Sequence, residues 1–398
     1  MWGIFMNEKY LFAHYLRGLA VLSVLFCHLG AAFFVDNAHL SSLINVPPIP
    51  EPSYPWITRE LVPSDFPAFM GPFGVAVFFL ISGFVIPISI EKYNLKKFLS
   101  KRFFRLYPTY VVVFTLNMII ALIGYFIYKN DIQEYPYSFF DVVTSYFIGL
   151  NTYIAGTRWL DPVAWTLGIE IAFYVVSVSF FKLFSLIFKR PTISIFDVII
   201  LGLLLHITSV FISHHSDIIF QKFNFINVGT FIKASYLMSF MLMGTSFFLY
   251  VKSRIKLNTL IYVLLWQYFS FMYTLMQLRP EHLYQPINNL MSWFAIAILV
   301  FSLAFSYNDK MKEHRIMAFL GDISYSLYLC HSYIGYFCLT IIINHGLMSR
   351  SAAVLFSAGI SIIISYFIHK KIEIKSTKIT FQNVSNALNL NKFRGVND

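Results

Sequence analysis

Apolar runs of some twenty residues recur from about residue 12 to residue 369, broken by short polar connectors. Coiled as α-helices, runs of that length match the hydrocarbon core of a bilayer. The pattern predicts ten spanning helices, at roughly 12–34, 72–90, 107–128, 163–187, 194–213, 228–250, 257–276, 287–306, 318–344 and 351–369. Residues 138–150 are apolar but short. They are expected to form a re-entrant or interfacial segment, which is tolerated where it lines a protein cavity. The fold class is therefore all-α: a polytopic transmembrane helical bundle of about ten spans plus one re-entrant or interfacial segment. The membrane domain is expected over 1–375, followed by a short polar cytoplasmic tail at 376–398. The connector 36–71 is rich in proline and reads either as a lid over a site or as a stiffened link. No internal repeat is evident.

Composition removes the main alternative. The chain has 398 residues, 58% hydrophobic and 12% charged, where a soluble domain carries about 25% charged residues. A soluble domain on a single anchor is excluded. With the N-terminus inside, 22 of the 30 Lys and Arg residues fall in cytoplasmic segments and 6 in the opposite loops. That bias predicts both termini in the cytoplasm. The net charge of +11 does not imply nucleic acid; its distribution sets orientation. The first apolar run is too long for a cleaved signal core and lacks a small-residue cleavage site. Cys27, Cys330 and Cys338 lie in apolar runs without metal-ligand spacing, so neither a metal nor a disulfide is expected.

Against this apolar background a few polar residues need a reason. Arg17 and His28 sit in the first span, eleven positions apart. That is about three helical turns, which puts both on one face roughly 16 Å apart along the axis. Ionisable groups inside a span are costly and tend to face a common interior. Arg102 and Arg105, in KRFFRLYP, share a helical face at i, i+3. They read either as headgroup anchors or as a bidentate site for a phosphorylated ligand. Glu170, in WTLGIEIAFY with Trp165, needs a partner that Arg17 or Lys233 could supply. It forms a structural ion pair, orients a histidine, or binds a substrate hydroxyl. Ser82-Gly83 suits close helix packing or close approach to a ligand. Ser324, Tyr328 and His331 make one polar stripe on the ninth span. His206 and Lys233 have no supporting pattern and are read as structural.

These motifs together resemble the acyltransferase-3 family of integral-membrane acyltransferases that modify bacterial surface glycans. The resemblance covers about residues 10–370 and rests on five ordered motifs. They are the Arg17/His28 pair, FFLISGF at 78–84, KRFFRLYP at 101–108, WTLGIEIAFY at 165–174 and SYSLYLCH at 324–331. The resemblance implies a stand-alone form without a hydrolase-like domain, with His28 as the key catalytic residue. It matches Arg17 to the family's first-helix arginine, and Arg102 and Arg105 to its cytoplasmic arginine pair. His14 stands where many relatives have Asp, Lys101 where a third Arg is common, and Thr166 where Ser is usual.

The resemblance implies an acyl-CoA donor on the cytoplasmic side and a sugar hydroxyl as acceptor beyond the membrane. The expected protein is a bacterial inner-membrane O-acyltransferase. It would move an acetyl group from acetyl-CoA to a surface polysaccharide or its lipid-linked precursor. His28, Glu170 and Arg17 would be catalytic, and Arg102 and Arg105 would bind the donor. Ser82, Trp165, Ser324, Tyr328 and His331 would support them. His28 either deprotonates the acceptor or carries the acyl group transiently. A glycolipid flippase and an acyltransferase acting on a small secreted metabolite are the alternatives.

Overall fold

The computed structural model describes residues 10–50, 53, 55–59, 66–129, 137–283 and 285–379. Ten helices are long and apolar enough to cross a membrane: α1 (Leu11–Val35), α2 (Met70–Lys92), α3 (Leu95–Ile127), α4 (Ala164–Ile187), α5 (Ile195–His214), α6 (Val228–Val251), α7 (Leu257–Gln277), α8 (Ile287–Ser306), α9 (Arg315–Asn344) and α10 (Arg350–Ser376). The protein is a multi-pass helical membrane protein. Most of the polar tail expected from 376 lies outside the described residues.

Residues 139–153 do not span. They form two short helices, Phe139–Ser145 and Leu150–Tyr153, turned at Gly149 with φ +65°. Three contacts tie this segment to the start of α6: Thr230 Oγ1 to the Thr152 carbonyl at 2.6 Å, Asn227 N to the Tyr153 carbonyl at 2.9 Å, and Ala155 N to the Phe225 carbonyl at 2.9 Å. The chain therefore leaves α3 and enters α4 at the same end of the bundle. At the other, basic end, Arg254 grips Glu91 through both guanidinium nitrogens, at 2.5 and 2.8 Å, and donates to the Ile193 carbonyl at 3.1 Å. That fork joins the last turn of α2 to the connectors after α4 and after α6.

Two helices run longer than the hydropathy pattern suggests. α3 begins at Leu95, about a dozen residues early, because Asn94 caps it through Lys97 N at 3.0 Å and Pro108 is accommodated within it. The arginine pair thus stands on a continuous helix. α10 continues to Ser376 through a π-helical turn at His369–Glu373.

α1 packs between α2 and α9, and α6 packs against α2 and α5. The α2–α6 crossing is set by glycine. A Cβ built on Gly83 would lie 1.8 Å from the Met241 carbonyl oxygen, and one on Gly244 2.1 Å from the Leu80 oxygen. Thr245 Oγ1 donates across the same crossing to the Gly83 carbonyl at 2.9 Å. Such backbone approach is how membrane helices gain packing where no hydrophobic drive separates them from lipid. Gly83→Val has no side chain of the neighbour to displace, only backbone. It is expected to cost at least about 3 kcal/mol and to abolish the monodisperse peak in detergent chromatography. A normal elution profile would contradict this crossing.

Candidate functional site

The polar residues of α1, α2, α3, α4 and α9 converge on a cavity of about 700 Å³, counting the space at its mouth. Arg17, Arg102 and Arg105 bring three cations to its wall, and Glu170 brings one carboxylate. Glu170 Oε1 accepts from Ser82 Oγ at 2.8 Å and from the Tyr174 hydroxyl one turn on. Arg102 donates to Ser89 Oγ, and its guanidinium lies over the rings of Phe98 and Tyr174 at 5.6 and 5.4 Å. Its Nε is buried without a hydrogen-bond partner. Two aromatic faces thus hold the guanidinium at the cavity wall.

Beyond this basic compartment Tyr328 forms a wall. Its hydroxyl is 2.7 Å from Thr166 Oγ1, its ring meets Phe78 edge-on at 5.5 Å, and it lies 6.0 Å from the His331 ring. His331 is fully buried, and its Nε2 is 2.9 Å from His28 Nδ1. His331 Nδ1 lies 3.0 Å from the Leu327 carbonyl. His28 itself is half-buried and opens a π-helical turn, His28–Ala32. Such turns inside α-helices recur at functional sites because they re-aim one side chain. Thr58 Oγ1, from the proline-rich connector, donates to the Gly30 carbonyl within that turn at 2.9 Å. The connector therefore rests on the far end of α1 beside the histidine pair.

Of the residues singled out in the sequence, Arg17, Ser82, Arg102, Arg105, Glu170, Ser324 and Tyr328 line the cavity. Ser324 Oγ is turned back to the Gly321 carbonyl at 2.8 Å. His28 and His331 pair beyond it. Glu170 is bonded to Ser82 and Tyr174, and the group bonded to the His28 ring is His331. Arg17 feels the charges of Arg105, Glu373 and Glu170. Trp165 is outside the cavity lining; with Trp159 it flanks the Lys233 ammonium, at 5.1 and 5.4 Å. Glu373 was not anticipated. It is buried in the π-helical turn of α10, where Ser326 Oγ donates to it at 2.7 Å and His369 Nδ1 lies at 3.0 Å. Its one sequence signal is the His369/Glu373 spacing at i, i+4.

A family model described as an acyltransferase domain matches residues 10–370. The chain belongs to the acyltransferase-3 family. No curated protein and no solved structure matches it. The match spans nearly the whole chain, so every residue of the cavity and of the histidine pair falls within the acyltransferase domain. His14 of this acyltransferase reaches α9, 3.0 Å from the Ala318 carbonyl and 3.4 Å from Asp322 Oδ1. Among the described residues of this acyltransferase no three His, Cys, Asp or Glu side chains gather as metal ligands.

Asp161, just before α4, is 3% exposed and accepts from Val163 N at 3.0 Å. Burial pushes its carboxyl up from 3.8 to about 6, against the pull of the backbone donors Val163 and Ala164. A carboxyl raised on folding stabilises the fold fully below its unfolded value and loses that contribution as pH rises through about 6. Asp161→Asn keeps an acceptor for Val163 N and removes the ionisation. It is expected to raise Tm near pH 7.5 by more than near pH 5, for a gain on the order of 2 kcal/mol. Equal changes at both pH values would contradict the assignment.

Proposed function

We propose that this acyltransferase is an O-acetyltransferase of the bacterial inner membrane. It takes the acyl group of cytoplasmic acetyl-CoA and delivers it to a hydroxyl of a surface polysaccharide or its lipid-linked precursor. The observation that carries this reading is the division of the site. Arg17, Arg102 and Arg105 line one compartment on the basic side, and the His28–His331 pair stands behind Tyr328.

In this reading both termini are cytoplasmic, so the basic compartment faces the donor. Arg102 and Arg105 bind the phosphates of CoA as bidentate forks. The pantetheine arm runs along the Glu170–Ser82 side of the cavity, and the thioester passes the Tyr328 wall toward His28. The acceptor hydroxyl arrives from the opposite end. His28 takes its proton while the hydroxyl oxygen attacks the thioester carbon, and CoA thiolate leaves. Arg17, about three turns from His28 on the same helix, adds its charge to the arginine cluster that receives the donor. CoA itself never crosses.

The test is transfer of radiolabel from acetyl-CoA by the purified chain in nanodiscs, with octyl β-glucoside as a surrogate acceptor. The expected result is an alkali-labile ester on the glycoside that depends on acetyl-CoA. Glycoside movement across the bilayer without ester formation would replace this reading with that of a flippase.

A further inference from the structure

We propose that His331 is a positioning residue that fixes the tautomer of His28, making His28 Nε2 the nitrogen that takes the acceptor's proton. This rests on the reading of His28 as general base.

The Leu327 carbonyl, 3.0 Å from His331 Nδ1, has no proton to give. His331 Nδ1 must therefore carry one and donate it. Two ring nitrogens then face each other at 2.9 Å, His331 Nε2 and His28 Nδ1. That contact holds one proton: two N–H groups would clash and two lone pairs would repel. If the proton belonged to His331, His331 would be an imidazolium at 0% exposure. No ion pair to its ring is found among the described residues, so the buried charge would be uncompensated. The proton therefore belongs to His28 Nδ1. A neutral His28 then has a bare Nε2, and its ring is held by its π-turn and by the bond to His331.

The same bond works during the reaction. As the acceptor oxygen–carbon bond forms and the carbon–sulfur bond breaks, the hydroxyl proton moves to His28 Nε2. His28 becomes an imidazolium whose Nδ1–H is already donating to His331 Nε2. His331 Nδ1–H is in turn donating to a helix carbonyl, so the charge is spread along a chain of aligned dipoles. The proton on Nε2 then passes to the departing thiolate, which leaves as CoA thiol, and His28 returns to its starting tautomer. The logic parallels the carboxylate behind a triad histidine, with a neutral ring in its place. A free imidazole has no reason to hold the proton on Nδ1. Without His331 nothing would keep the proton on Nδ1, and Nε2 would no longer be the nitrogen reliably left bare.

The test is nitrogen NMR of the full-length chain in nanodiscs, grown with ring-labelled histidine, with the His28 signals assigned by their loss in His28→Gln. The expected wild-type pattern is a protonated Nδ1 and a lone-pair Nε2 on His28. His331→Phe should abolish that pattern and lower kcat about 100-fold, with the acetyl-CoA KM within about 2-fold. His331→Gln offers a carbonyl in place of Nε2, so it should restore part of both the tautomer and kcat. A protonated Nε2 on His28 in the wild type would overturn the proposal, as would a His331→Phe protein that keeps the wild-type tautomer. The tautomer is read without acyl-CoA. A wild type that shows it but transfers no acyl group would sink the function and not the histidine pair.

Discussion

His28→Ala is expected to lower kcat for acetyl transfer at least about 1,000-fold, with the acetyl-CoA KM little changed. A positioned general base contributes about 100- to 10,000-fold, and His28 is the one half-buried imidazole beyond the Tyr328 wall to which His331 is bonded. Truncation also leaves His331 Nε2 as a buried acceptor without a donor, at a cost of about 1–3 kcal/mol. Some loss of stability is thus built into the alanine variant. His28→Gln, whose amide can donate to His331, separates the two effects. It should restore Tm and not kcat. The measurement is ester formation under saturating acetyl-CoA alongside thermal unfolding of both variants. Retention of a tenth of wild-type kcat in the glutamine variant would remove His28 from the chemistry.

Arg102→Ala is expected to raise the acetyl-CoA KM by about 10- to 100-fold while kcat changes by less than about 3-fold. Hydrogen bonds to a charged group are worth about 1.5–3 kcal/mol, and that free energy sets the ratio. The side chain is held by Ser89 and by the rings of Phe98 and Tyr174, so its fork meets the ligand already ordered. A held fork loses little entropy on binding, which is why Arg102→Lys should recover only part of the affinity. Initial rates against acetyl-CoA concentration give both constants. Unchanged KM with reduced kcat would move Arg102 from the donor site to the reacting centre.

Much of the fold could be read from hydropathy because a bilayer admits few solutions. The ten apolar runs became ten helices, and the short run at 138–150 became two short helices tied to the start of α6. Boundaries were less legible. Hydropathy registers where the lipid begins, and α3 starts earlier than that because Asn94 caps it and nothing before Pro108 breaks it. Periodicity placed Ser324, Tyr328 and His331 on one stripe, and that stripe faces α1 and the cavity. Pairing across helices was not legible. Glu170 pairs with Ser82 of α2 and with Tyr174 because the α2–α4 contact sets which side chain meets it. The His28–His331 bond joins residues 303 positions apart, and no local spacing encodes it. Glu373 was missed for a similar reason: it follows a basic stretch that reads as a membrane-edge anchor, and only the π-helical turn brings its carboxylate back to Ser326.

The most direct test of the account is proton NMR of the surface polysaccharide from a deletion strain complemented with the wild-type gene or with His28→Ala at matched protein levels. The expected result is an O-acetyl signal restored by the wild type and absent with His28→Ala. The same O-acetyl signal in the deletion strain as in the wild type would contradict it.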